Sequence, residues 1–140
     1  MRRAVSLSLG FLALFLVCAV AQAEQVRFKA DLAAGPGIAS QGKGAATASL
    51  DTATKTLTWA VDYSGLSGPA TAAHIHGPAD PGANAGILVP FTGNLVSPIK
   101  GSATLTDAQI AQLEAGKWYV NIHTEANKAG EIRGQLVRGS

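Results

Sequence analysis

Thr56-Leu57-Thr58-Trp59-Ala60-Val61-Asp62-Tyr63 alternates without a break, with Leu57, Trp59, Val61 and Tyr63 on one side and Thr58, Ala60 and Asp62 on the other. Successive side chains of an extended strand point to opposite faces, so this stretch predicts a strand with one buried face. Asp51-Thr52-Ala53-Thr54-Lys55 before it reads as a turn, and Ala45–Leu50 before that as a strand of small residues. Further upstream, Gln25–Leu32 sets Val26, Phe28, Ala30 and Leu32 against Arg27, Lys29 and Asp31. Downstream, the same reading predicts a strand carrying His74 and His76 and ended by Gly77-Pro78, then short strands at Gly86–Phe91 and Ile99–Leu105. It ends with a pair at Trp118–His123 and Glu131–Val137. Pro90 marks an edge or an end of its strand. One helix interrupts the series: Thr106-Asp107-Ala108-Gln109 fits a capping box, Ile110 and Leu113 give an apolar face, and Gly116 is the stop. The expected fold is all-β, a Greek-key β-sandwich of about eight strands with one short connecting helix.

The first 23 residues belong to something else. Met1-Arg2-Arg3, an apolar run from Leu9 to Val20 and then Ala21-Gln22-Ala23 have the layout of a secretory signal peptide, with cleavage expected between Ala23 and Glu24. The run is short for a membrane-spanning helix, so no span is expected after cleavage. Residues 24–140 then form one exported domain of about 117 residues, periplasmic or secreted, large enough to bury a core. The full chain has 11 Lys and Arg against 9 Asp and Glu; loss of Arg2 and Arg3 leaves nine of each. That balance gives no electrostatic basis for nucleic-acid binding. Cys18 and Met1 are the only sulfur-bearing residues, so the expected mature domain has no disulfide and depends on its core.

Two of the three histidines lie in Ala73-His74-Ile75-His76-Gly77-Pro78 and the third in Trp118-Tyr119-Val120-Asn121-Ile122-His123-Thr124. His74 and His76 share one face of their strand. His123 lies opposite the apolar Trp118, Val120 and Ile122 of its own. If these strands are neighbours, three imidazoles meet on one polar surface. Three neutral imidazole nitrogens bind copper or zinc and leave a position for water or another group. The expected metal ligands are therefore His74, His76 and His123. With no thiolate or thioether available, a blue-copper centre is excluded and Cu(II) or Zn remains. Asp80, Glu125 and Asn121 are candidates to complete or orient the shell. The competing reading is that the histidines hydrogen-bond to one another, to Asn121 or to loop backbone and close the sheet end. Arg133 and Glu131 share a face beside this surface and are expected to form a structural salt bridge. Trp59 and Trp118 are expected in the core. No G-x-S-x-G elbow, phosphate loop or paired acid and base is present, so the reading does not favour an enzyme.

Four blocks carry a family resemblance. They are Ala73–Ala79; Leu105-Thr106 with Gln109, Leu113 and Gly116; Tyr119–Thr124; and Gly130-Glu131-Ile132-Arg133-Gly134-Gln135-Leu136. Their order and spacing resemble the chordin-domain (CHRD) family across essentially the whole mature chain. The resemblance implies a β-sandwich, and in bacterial members an exported single domain. In the animal protein that names the family, such domains belong to an extracellular regulator of growth factors. The H-x-H strand and the later N-x-H-T strand are also similar to those of Cu/Zn superoxide dismutases, where His74, His76 and His123 match copper-ligand positions. The chain departs from that pattern in having no further histidine and no disulfide. Three functions follow as expectations: a metal-binding exported domain, a metal-free module engaging another envelope or extracellular protein, and a dismutase-like redox enzyme. The glycine- and proline-rich loop from Gly77 to Gly86 is a plausible partner surface beside the site.

Overall fold

A computed structural model describes residues 22–139; residues 1–21 of the expected signal peptide lie outside them. The chain forms β1 (Gln25–Ala34), β2 (Lys43–Asp51), β3 (Thr56–Ser64), β4 (Ala70–His76), β5 (Ile87–Pro90) and β6 (Ile99–Thr104). Then come the helix α1 (Asp107–Glu114), β7 (Tyr119–Thr124), β8 (Ile132–Gln135) and β9 (Val137–Arg138). All pairings are antiparallel, in the order β5-β4-β7-β8-β1-β2-β3-β6, with β9 added beside β1. Two four-stranded layers result, β5-β4-β7-β8 and β1-β2-β3-β6. They join where Ala33 and Ala34 pair with Arg133 and Ile132. On the opposite side β5 and β6 do not pair. The chain changes layers between β3 and β4, between β5 and β6, between β6 and β7, and again from β8 into β9, which makes the sandwich a Greek key.

Alternation sorts the residues as expected. Val26, Phe28, Ala30 and Leu32 of β1, Leu57, Trp59 and Val61 of β3, and Val120 and Ile122 of β7 all enter a single apolar cluster. Each fully buried aliphatic or aromatic side chain contributes about 1.5–3 kcal/mol, and together they hold the domain without sulfur. The β2–β3 turn is shaped by Asp51, whose Oδ1 accepts hydrogen bonds from the N–H groups of Ala53 and Thr54 at 2.9 and 3.0 Å. In α1 the capping box is complete. Gln109 N–H donates to Thr106 Oγ1 at 3.2 Å, and Thr106 N–H donates to Gln109 Oε1 at 2.9 Å. The helix stops at Gly116, whose φ of +71° suits glycine. Gly116 N–H bonds Leu113 O while Lys117 N–H bonds Gln112 O, both at 3.0 Å.

Two expectations need correction. The terminal strand predicted over Glu131–Val137 is broken. Leu136 turns into the core, only 1% exposed, and gives its N–H to Trp118 O, so β8 ends at Gln135 and β9 begins anew beside β1. The described residues thus form nine strands, in keeping with the expected number of about eight. The second concerns β7, whose polar side is read from the sequence as one polar surface shared with β4. Tyr119, Asn121 and His123 are buried like their apolar neighbours, because the segments 77–86 and 125–130 fold back over them.

Candidate metal centre

β4 and β7 are hydrogen-bonded neighbours, with His74 opposite Asn121, His76 opposite Tyr119 and Ala72 opposite His123. Ala73 and Ile75 face the core, so His74 and His76 are turned to the outer side, where His123 meets them diagonally across the ladder. One ring nitrogen from each histidine lies within 4.8 Å of the other two. The ring centroids are 4.9, 5.4 and 5.9 Å apart. His76 and His123 are buried and His74 is half-buried, so access from solvent is on the His74 side.

Backbone carbonyls orient two of the rings. His76 Nδ1 lies 3.0 Å from Ala85 O, and His123 Nδ1 lies 2.8 Å from Lys128 O. A carbonyl oxygen only accepts, so both Nδ1 atoms carry protons, and in the neutral rings both Nε2 atoms keep their lone pairs. His123 Nε2 then accepts from His74 Nδ1 at 3.1 Å. His76 Nε2 is buried and has no partner among the described residues. A buried, unpaired nitrogen lone pair is costly unless something fills it. Burial lowers the pKa of His74 below its ordinary value, with His123 and His76 adding repulsion. Burial also lowers that of His76, against the raising effect of its bond to Ala85 and with further lowering by His123 and Arg133. Both effects favour the neutral, ligating form.

Three ring nitrogens gathered in this way could hold a metal ion. To join the other two as a ligand, His74 would have to free Nδ1 of its proton or present Nε2. The carbonyls of Ala85 and Lys128 hold the far nitrogens of His76 and His123, as hydrogen-bond acceptors normally do for metal-ligating histidines. Of the residues expected to assist, none faces the cluster as a ligand. Asp80 pairs with Lys117, Glu125 pairs with Lys128, and Asn121 Nδ2 donates to Ala129 O at 3.2 Å.

Alternation did not reveal the two segments that cover the site. Tyr119 stacks on His76, with ring centroids 5.1 Å apart and planes 8° from parallel, and Arg133 lies 3.8 Å from the Tyr119 ring centroid. Arg133 also donates to Asn84 Oδ1 and Ala83 O, at 2.8 and 2.6 Å. Tyr119 OH accepts from Ala85 N–H at 3.1 Å, and Gln135 Nε2 donates to Ala79 O at 2.9 Å. The segment 77–86 is thereby strapped to β7 and β8 at the point where it offers Ala85 O to His76. The other segment lies close on Asn121 because Gly130 has φ +122° and no side chain; a Cβ there would sit 2.2 Å from Asn121 Oδ1.

The expected Glu131–Arg133 salt bridge does not form, because Arg133 is engaged as described. Glu131, fully buried, accepts from Ser40, Ser67 and Thr124 hydroxyls at 2.6 Å each, from Ser67 N–H at 2.9 Å and from Asn127 Nδ2 at 3.2 Å. Hydroxyls and amides satisfy this carboxylate in place of a cation.

Among the described residues no helix is long and apolar enough to cross a membrane. The family model for the CHRD domain matches residues 22–136. No curated protein and no solved structure matches the chain.

Proposed function

Because the chain belongs to the CHRD domain family and gathers three imidazoles on one side of its sheet, we propose that it is an exported module that holds one Cu(II) or Zn ion on His74, His76 and His123. The observation that carries this reading is His76 Nε2, a buried nitrogen without a partner among the described residues, with a ring nitrogen of each of the other two imidazoles within 4.8 Å. Three nitrogens leave one position for water or an exchangeable group, which suits capture and handover of the ion. Export rests on the signal-like first 23 residues and on the extracellular setting of the family's naming protein.

Titration of the purified protein from Glu24 onward with Cu(II) and with Zn, read by calorimetry and for copper by paramagnetic resonance, tests the proposal. One equivalent bound, with nitrogen coupling that disappears in the triple His→Ala variant, is the expected result. His76→Ala alone should lose tight binding and keep the β-sheet circular dichroism; unchanged affinity would remove His76 from the site. The metal-free alternative draws on one contact, the His74–His123 hydrogen bond, which already satisfies part of the cluster. Equal binding by the protein and the triple variant would favour that alternative, an envelope module acting through a protein partner. Superoxide turnover by the metal-loaded protein would instead support the dismutase-like reading.

A further inference from the structure

The outer face of β1-β2-β3-β6 lies in the other layer from the histidines and holds a trough of about 830 Å³. The register builds it from two adjacent rows of outward side chains. One runs Arg27, Ser49, Thr58, Ser102; the next runs Lys29, Thr47, Ala60, Lys100. The short side chains form the floor. Arg27 and Lys29 form one wall on β1 and Lys100 the other on β6, about 14 Å away across three strand spacings. All three cations are exposed, and none makes an ion pair among the described residues, whereas Lys55, Lys117 and Lys128 each do. Among the described residues no carboxylate lines the trough. Carboxylates instead bound it: Asp31 and Asp62 lie in the row beyond Lys29, and Asp51 in the row beyond Arg27.

We propose that this trough binds a linear acidic polysaccharide of the uronate type, lying across the strands from β1 to β6. Unpaired cations meet its carboxylates, and the Ser and Thr hydroxyls of the floor donate to and accept from its hydroxyls. The flanking aspartates repel a chain laid along the strands and so fix the crossing direction. The charge pattern is local, since a chain from Glu24 onward carries equal numbers of acidic and basic residues. The inference is independent of the histidine site.

Alginate oligomers and neutral dextran of matched length, titrated calorimetrically into the protein at low and moderate salt, are the test. Alginate should bind, weaken as salt rises, and exceed dextran by at least tenfold. Arg27→Gln, Lys29→Gln and Lys100→Gln should each weaken binding about fivefold and the triple variant about a hundredfold, as expected for exposed charge pairs. Lys43→Gln and Lys128→Gln, which change net charge equally, should stay within twofold. Asp62→Asn should strengthen binding. Equal binding of dextran, equal losses in the control variants, or binding of phosphatidylglycerol vesicles without binding of alginate would each overturn the proposal.

Discussion

Glu131 shows how one residue can be misread from its neighbours alone. It sits two positions from Arg133, yet its partners are three hydroxyls, an amide and a backbone N–H drawn from the segments near Ser40, Ser67, Thr124 and Asn127. Burial by itself raises its pKa, but the hydrogen bonds from Ser40, Ser67 and Thr124 outweigh it and hold the value at about 2, against an ordinary 4.5. A folded pKa below the unfolded one means that the unfolded chain binds the proton first. The stabilisation is therefore complete above about pH 4.5 and is lost as pH falls toward 2. Urea unfolding of wild type and Glu131→Gln across pH 2–7 checks this. The variant should be less stable by about 2 kcal/mol near neutrality, through the buried groups it leaves mispaired. Its stability should also fall less steeply below pH 4.5. Parallel curves would show that Glu131 titrates alike in both states.

At the scale of elements, strand positions and faces were legible because period-two alternation survives in nearly every strand, and the capping box and Gly116 marked α1. Two things were not. Alternation gives the face of a strand but not its neighbour, so the pairing of β4 with β7 that assembles the histidines was a condition, met only by the Greek-key crossover. Nor does it show what lies above a polar face. The covering segments contribute through backbone, Ala85 O and Lys128 O, and any residue type can supply a carbonyl. The strap on segment 77–86 gives a test at this scale. Arg133→Ala removes both bonds to Asn84 and Ala83 and the cation over Tyr119. Hydrogen exchange should accelerate at Ala83 and Ala85 while β1–β3 stay protected. Affinity for Cu(II) should fall about tenfold, the usual scale for loosening the group that orients a ligating histidine. Faster exchange with unchanged affinity would mean that His76 holds its orientation without the segment.

For the whole molecule, the question is whether an ion bound at one layer stabilises the other. The layers share one apolar cluster, in which Ile75 and Val120 behind the histidines and Trp59 in the far layer all take part. They are also hydrogen-bonded through β8 and β1. A domain of this size with a single core is expected to unfold as a unit, so free energy gained at the histidines belongs to the whole. Binding that is restricted to the folded state stabilises by about 2.7 kcal/mol at a free metal concentration a hundred times Kd. Urea unfolding with and without Zn should therefore show one transition displaced by that amount at constant slope. Tryptophan fluorescence and backbone circular dichroism should move together. In the triple His→Ala variant the displacement should vanish. If added Zn splits the transition, or shifts circular dichroism while fluorescence stays, the two layers unfold separately and the shared core is not the coupling element. If neither signal moves at saturating Zn, the histidines do not hold the ion in the folded state, and their hydrogen bonds to each other and to the covering loops are what the cluster is for.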